Sequence, residues 1–314
     1  MATDDRRMDR AAGALLASAA GDALGAGYEF TYPAADRSID MIGGGLGPFA
    51  PGEWTDDTAM TVAIAEVAAT GTPIGAGAGL DRVAAQFVRW YDTHPKDIGN
   101  QTAAVLSARP GSAAAMRDRA RALPGRKAGN GSLMRTAPVG IAYLHDPAAC
   151  VAAAEAISAL THDDPQANEA CALWSYAIRH AVLGGGFDGP RRYLDTAPAD
   201  VADRWSALLD EAETAGSGRV FDRNGWVVHA LQTAWWAITH AGGQGSEHLT
   251  GALELAVRAG GDTDTTAAIA GALLGARWGA SAVPPRWREM LHGWPGHRGD
   301  DLVRLAHETV AHTG

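Results

Sequence analysis

The chain has 314 residues, 46% of them hydrophobic and 20% charged, a balance ordinary for a globular protein with a sizeable core. A formal net charge of −10 excludes a broad basic face for nucleic acid or anionic membrane. Local binding of an anionic ligand through glycine-loop amides or a metal stays open. Two cysteines, Cys150 and Cys171, are too few for a disulfide framework and fit buried thiols in a reducing cytoplasm.

At the N-terminus, Arg6, Arg7 and Arg10 precede the apolar run Ala11–Ala20, a faint imitation of a secretory signal. The run is mostly alanine and glycine and passes directly into Gly21-Asp22-Ala23-Leu24-Gly25, so it reads as part of the mature fold, with residues 1–9 expected to be disordered. No uninterrupted apolar stretch reaches the roughly 18 residues of a membrane helix. Apolar residues then recur at helical spacing along most of the chain. The faces are Ala12, Leu15, Leu16, Ala19 and Leu24; Leu80, Val83, Ala84, Phe87, Val88 and Tyr91; and Cys150, Ala153, Ala154, Ile157 and Leu160. Further faces run from Ala167 to Ala181 and from Val227 to Ile238, and Ala267–Leu274 belongs to a helix buried nearly all round. Alternating stretches rich in Val, Ile and Thr are nearly absent. The reading is all-α, with alanine and glycine letting helices approach closely and tryptophan filling the wider gaps. No breaker segment is long or polar enough for a linker, so one domain over residues 1–314 is expected. The lack of a heptad seam points to a monomer.

Two segments carry more acid than a helix start needs. Thr55-Asp56-Asp57 precedes the run Ala59–Ala69, and Asp262-Thr263-Asp264-Thr265 precedes Ala267–Trp278. Asp and Thr are good N-caps and suit the positive helix end, but one cap requires one such residue. The surplus carboxylates suit hard cations such as Mg²⁺ or Mn²⁺, which take oxygen ligands. On a helix Asp56 and Asp57 project about 100° apart, one towards each of two ions. The residues alone leave caps and metal ligands evenly balanced. Gly129-Asn130-Gly131-Ser132 is a glycine-rich turn entering a helix, suited either to phosphate or to a plain turn. Glu29 sits between Tyr28 and Phe30, where aromatic neighbours could desolvate it.

Taken in order, the pieces GDALGAGYEF (21–30), WTDDTAM (54–60), DIGNQT (97–102), GNGSLMR (129–135), THDDPQA (161–167) and GGDTDTTAAIAGALLGA (260–276) resemble the ADP-ribosylglycohydrolase family. That family includes the dinitrogenase reductase-activating glycohydrolases and the ADP-ribosylarginine hydrolases. The resemblance implies a single compact orthogonal helical bundle. It also implies two Mg²⁺ or Mn²⁺ ions held by Thr55, Asp56, Asp57, Asp262, Asp264 and Thr265. Glu29, Asp56 and Asp97 would be catalytic, Asp97 lying near an arginine leaving group. Asn100, Gly129, Asn130, Gly131, Ser132, His162 and Trp226 would contact the substrate, Trp226 facing the adenine. A solvated surface Asp97, a structural His162 and a core Trp226 remain the competing readings.

The chemistry implied is hydrolysis of the N-glycosidic bond of ADP-ribosylated arginine on protein, through an oxocarbenium-like state. Two cations would hold the ribose diol and acidify a water, with Glu29 or a metal-ligating Asp assisting proton transfer. Serine-linked ADP-ribose, poly(ADP-ribose), O-acetyl-ADP-ribose and a non-catalytic binding role are the alternatives. The partner is an ADP-ribosylated protein or an ADP-ribose-containing small molecule, with no membrane and no broad nucleic-acid binding.

Overall fold

Small residues recur at every fourth position near the start of the chain: Gly13, Ala17, Gly21 and Gly25. A computed structural model, which describes residues 2–313, places all four on one stripe of α1 (Ala2–Gly25). The remaining helices are α2 (Asp56–Ala68), α3 (Gly77–Tyr91), α4 (Asn100–Leu106), α5 (Ala113–Ala122), α6 (Ala137–Ala142), α7 (Pro147–Ser158) and α8 (Pro165–Val182). They continue as α9 (Gly189–Leu194), α10 (Ala199–Thr214), α11 (Val227–His240), α12 (Ser246–Ala259), α13 (Thr263–Trp278), α14 (Pro285–Met290) and α15 (Gly299–Ala311). Among the described residues the only sheet is an antiparallel pair of two-residue strands, His292–Gly293 with His297–Arg298. The all-α expectation holds. Of residues 1–9, expected to be disordered, Ala2–Asp9 lie in α1, and Met1 falls outside the described residues.

Helices α1 and α13 form the most extensive helix pair among the described residues. Their small residues meet in antiparallel order. A Cβ added at Gly13 would strike the Gly275 backbone, at Gly21 the Ala267 carbonyl, and at Gly25 the Thr263 and Asp264 backbone. From the other side, Gly271 would meet Ala17 and Gly275 would meet Gly13. Glycine inside a helix costs about 0.5–1 kcal/mol relative to alanine, and here the backbone-to-backbone approach offsets it. Both helices are buried along most of their length, Ala11–Ala26 and Thr263–Ala276 lying inside.

Around this pair one connected apolar core runs from Ala11 to Val310. Tryptophans fill the wider gaps as expected, and their indole N–H groups find acceptors. Trp174 donates to the Ile269 carbonyl at 2.9 Å and Trp205 to the Glu169 carboxylate at 2.9 Å. Cys150 and Cys171 are buried free thiols. The long connection between α1 and α2 folds back over the start of α13. There the Phe30 amide donates to the Gly261 carbonyl at 2.7 Å, and Thr31 bridges the same residue.

The seam makes a paired prediction. Gly271→Ala should lower stability by about 1–3 kcal/mol, because its Cβ has no room against Ala17. Gly251→Ala, whose Cβ would meet nothing nearer than 4.0 Å, should be neutral or stabilising by up to ~1 kcal/mol. Denaturant unfolding of the two variants measures the contrast, and equal effects would contradict a close-contact seam.

Candidate metal centre and ligand cavity

Four segments converge: the last turn of α1, the connection after it, and the first turns of α2 and α13. The antiparallel seam puts the end of α1 beside the start of α13, and Asp22 comes with it. Asp22 is fully buried and accepts hydrogen bonds from the Thr55 amide at 3.0 Å, the Thr58 amide at 3.0 Å and the Thr58 hydroxyl at 2.6 Å. It therefore caps α2 from another helix. Asn224, in the turn before α11, caps α13, its Oδ1 accepting the Asp262 amide at 2.9 Å while its Nδ2 donates to the Gly260 carbonyl at 2.8 Å. Neither Thr55 nor Asp262 makes a side-chain cap bond of its own. The two readings left balanced by the sequence separate here. Capping is done from outside, and the carboxylates of both segments remain surplus to it.

Those carboxylates form two groups sharing one member. Ligand oxygens of Asp22, Asp57 and Asp264 lie within 4.8 Å of one another, as do those of Glu29, Asp262 and Asp264. Oδ1 of Asp57 and Oδ1 of Asp264 are buried with no hydrogen-bond partner. Around them, the Thr55 hydroxyl donates to Asp57 Oδ2 at 3.1 Å and Asn130 Nδ2 donates to Asp262 Oδ2 at 2.7 Å. Among the described residues no Lys or Arg forms a salt bridge with any of these acids. Burial, then the neighbouring acids, pushes Glu29 up to about 8 and Asp56 to about 7, and drives Asp57 and Asp264 well above the carboxylate range. Asp22 rises to about 6 through burial, against the opposing hydrogen bonds from Thr58 and Thr55. Buried, mutually repulsive carboxylates, two of whose oxygens have no hydrogen-bond partner, fit a divalent hard cation.

The grouping departs from the expected ligand set in two ways. Asp56 belongs to neither triad; it is half-buried and lines the cavity together with Asp97, whose charge helps raise its carboxyl. Asp22, not assigned from the sequence, takes a place in the inner triad. The available signal was a charged residue inside the otherwise apolar stretch Ala11–Gly27.

Above the triads lies a cavity of about 390 Å³. Glu29, Asp56, Asp97, Asn100, Gly129, Asn130, Gly131, His162, Asp262, Asp264 and Thr265 all line it, so most of the anticipated residues are brought together. Asp97 is half-buried, and burial raises its carboxyl. Thr55 and Asp57 sit behind the lining. Ser132 turns its side chain into the core, accepting from Ser158 Oγ at 3.0 Å and from Cys171 Sγ at 3.4 Å. Trp226 is off the lining too: its indole donates to Gln166 Oε1 at 3.0 Å and its ring packs on His229, while Gly225 beside it reaches the cavity. Phe30, Leu46, Gln101 and Met134 line the cavity without having been anticipated. Phe30 has a left-handed backbone (φ 53°) and stands 61% exposed at the rim.

The glycine-rich turn is a 3₁₀ segment, Asn130–Arg135, rather than the opening of an α-helix. Its Asn130 amide is already engaged with the Gly225 carbonyl at 3.1 Å. Neither Gly129 nor Gly131 has a positive φ. The His162 ring crowds both positions: an added Cβ would lie 3.2 Å from Nε2 at Gly129 and 3.0 Å from Cε1 at Gly131, so a side chain there would press on the ring.

The sequence profile of the ADP-ribosylglycohydrolase family matches residues 3–314. The chain is 32% identical to ADP-ribosylarginine hydrolase Tri1 of Pseudomonas putida (strain GB-1), over 98% of this chain and 79% of that protein. It is 31% identical to the ADP-ribosyl-[dinitrogen reductase] glycohydrolase of Rhodospirillum rubrum, over 90% of each. A solved ADP-ribosylglycohydrolase-related protein complex superposes with a TM-score of 0.76 at 28% identity, covering 99% of this chain and 100% of that one. With a cavity floored by shared carboxylates and a profile match along nearly its whole length, the chain belongs to the ADP-ribosylglycohydrolase family.

Proposed function

We propose that this chain is a metal-dependent hydrolase that removes ADP-ribose from modified arginine on protein. The observation that carries the reading is the pair of carboxylate triads sharing Asp264 at the floor of the cavity. Asp22, Asp57 and Asp264 would hold one Mg²⁺ or Mn²⁺, and Glu29, Asp262 and Asp264 the other. Thr55, Asp56 and Thr265 add oxygens to the same set. Divalent cations there supply a Lewis acid that orients the ribose diol and acidifies water.

The chain's own groups supply the rest. The carboxylates of Asp56 and Asp97 stand where positive charge grows at the anomeric carbon as its bond to nitrogen lengthens. Glu29, whose Oε2 accepts the Leu46 amide at 3.3 Å, moves a proton between the attacking water and the leaving nitrogen. Asp97 lies on the cavity wall with one oxygen tied to the Ile98 amide at 2.8 Å. Its other oxygen is directed to the guanidinium of an arginine leaving group, as a charge-assisted hydrogen bond. The names of the Pseudomonas and Rhodospirillum relatives agree with removal of ADP-ribose, and the former with arginine. No described helix is long and apolar enough to cross a membrane. A monomer acting in the cytoplasm on ADP-ribosylated protein completes the proposal.

Metal removal tests the centre through its pH dependence. In the metal-free protein the acids at about 6, 7 and 8 bind protons more tightly than the unfolded chain does, where carboxyls titrate near ~4. Folded-state proton uptake exceeds that of the unfolded state in this window, so stability falls as pH rises from about 4 to about 8. Mg²⁺ or Mn²⁺ should therefore raise the melting temperature more at pH 8 than at pH 5.5. An EDTA-treated sample with the same melting temperature as the metal-loaded one at both pH values would remove the metal centre.

Two substitutions test the roles. Glu29→Gln, assayed at saturating metal, should lower kcat by about 10²–10⁴. Near-normal turnover with normal metal content would take Glu29 out of proton transfer. Asp97→Ala should depress kcat/KM for arginine-linked ADP-ribose at least about tenfold more than for serine-linked ADP-ribose. A panel of arginine-, serine- and poly-linked substrates with Mg²⁺, Mn²⁺ and EDTA reads both effects, and equal loss across linkages would count against the arginine assignment.

A further inference from the structure

Arg135 ends the glycine-rich segment, and the proposed function gives it no task. It is completely buried and, among the described residues, has no carboxylate in contact. Its guanidinium packs over the Phe87 ring at 4.6 Å, and one Nη donates to Thr161 Oγ1 at 2.7 Å and to the Ile157 carbonyl at 3.2 Å. Thr161 Oγ1 in turn lies 2.8 Å from Nδ1 of His162. A cation has been buried with no carboxylate in contact, the Asp56 charge acting only from a distance, and it lies two hydrogen bonds from a histidine that borders the ligand cavity.

The donor inventory fixes the direction of this chain. Guanidinium offers only donors, so the Thr161 oxygen must accept from it. The one hydroxyl proton of Thr161 is then free to donate, and the nearest acceptor is His162 Nδ1. An Nδ1–H ring would instead give Thr161 two donors pointing at its oxygen and leave its own proton with no acceptor among the described groups. With Nδ1 accepting, the ring proton resides on Nε2. Nε2 has no protein partner among the described residues and lies against Gly129 and Gly131, whose missing side chains leave it open to the cavity. Burial and the neighbouring Arg135 charge hold the ring down at about 3, so it stays neutral at working pH.

We propose that Arg135 and Thr161 are positioning residues that lock His162 as its Nε2–H tautomer, a fixed neutral donor aimed at an acceptor oxygen of the bound ligand. The relay stands on hydrogen-bond geometry; only the identity of the acceptor rests on the ADP-ribose reading. A neutral donor suits an anionic ligand above an acidic floor. It holds an oxygen without titrating, and its own polarisation is sustained by a cation that never meets solvent. Nothing is transferred: His162 keeps its proton throughout.

The test uses the full chain, ¹⁵N-labelled at histidine, with free ADP-ribose as the probe. Long-range ¹H–¹⁵N spectra of the wild type should show His162 protonated at Nε2 and bare at Nδ1. Thr161→Val should admit the other tautomer and weaken ADP-ribose binding roughly fivefold to tenfold, the scale of one neutral hydrogen bond. Thr161→Ser, which keeps the hydroxyl, should restore both the spectrum and the affinity. In a His162→Ala background, Thr161→Val should cost no further affinity. A wild-type ring protonated at Nδ1 overturns the proposal, as does a Thr161→Val protein with unchanged tautomer and affinity. Should Thr161→Val fail to fold, the wild-type spectrum and Thr161→Ser still decide. A wild type that shows the Nε2–H tautomer but binds no ADP-ribose overturns the functional reading while supporting the relay.

Discussion

Everything at the centre of this molecule depends on how closely α1 and α13 approach. Four small residues on α1 face their counterparts on α13 with no side chain between the backbones. The contact is antiparallel, so the end of one helix is set beside the beginning of the other. That is how Asp22 and Asp264, 242 positions apart in the numbering, come within ligand distance of each other. A bulkier residue at Gly21 or Gly25 would push the helices apart at the end that carries the carboxylates. The glycines therefore act as a spacer set to zero, and the site inherits its dimensions from the packing.

The acids that this approach gathers would repel one another if left unneutralised. Buried carboxylates with unsatisfied oxygens are costly, and a fold keeps them only where something compensates. Part of the compensation is internal: Asp22 is stabilised by three donors from α2 while capping that helix, so one carboxylate serves both packing and the site. Asp57 and Asp264 have no such outlet for their Oδ1 atoms. The strain of gathering them is local and electrostatic, while the hydrophobic seam that enforces it extends along both helices. This division explains how a stable scaffold tolerates an unfavourable cluster: the large apolar term holds the geometry, and the smaller unfavourable term makes the cluster receptive to cations.

Much of this was legible in the sequence, and the rest was hidden for identifiable reasons. Helical periodicity gave the all-α class directly, because the buried faces of α3, α7, α8 and α11 follow the 3.6 spacing. The Asp/Thr segments at the starts of α2 and α13 stood out as chemistry-bearing because they exceed the needs of capping. Spacing could not tell which acids would gather into the two triads, since that depends on the long-range α1–α13 contact; hence Asp22 was passed over, and Asp56 gave no sign of standing outside both groups. The charged residues Asp4, Asp5, Arg6 and Arg7 precede the apolar run, and in the structure Ala2–Arg10 belong to the same helix as that run. Ser132 and Trp226 were read from the motifs around them. Within one turn of backbone, though, a side chain can face either the cavity or the core, and the one-dimensional pattern does not distinguish the two. The glycines of the Gly129–Gly131 turn were visible, but their cause was not. They make room for a ring more than thirty residues away rather than permitting an unusual φ.

A remaining question is how a chain of net charge −10, with seven carboxylates around one cavity, accommodates an anionic ligand. The arrangement separates the two problems in space. The floor is built from oxygen donors suited to cations, which would turn the deepest part of the cavity positive. Among the described residues that line the cavity there is no Lys or Arg; Asn130, the glycines Gly129 and Gly131 and a neutral His162 belong to that lining. The Arg135 guanidinium lies behind His162 and connects to the cavity through Thr161 and the imidazole. A cation presented directly would bind the triad acids and occupy the place of the ions. Set one residue back, it hydrogen-bonds the hydroxyl beside the ring and, among the described residues, makes no ion pair with the acids, although the Asp56 charge still acts on it.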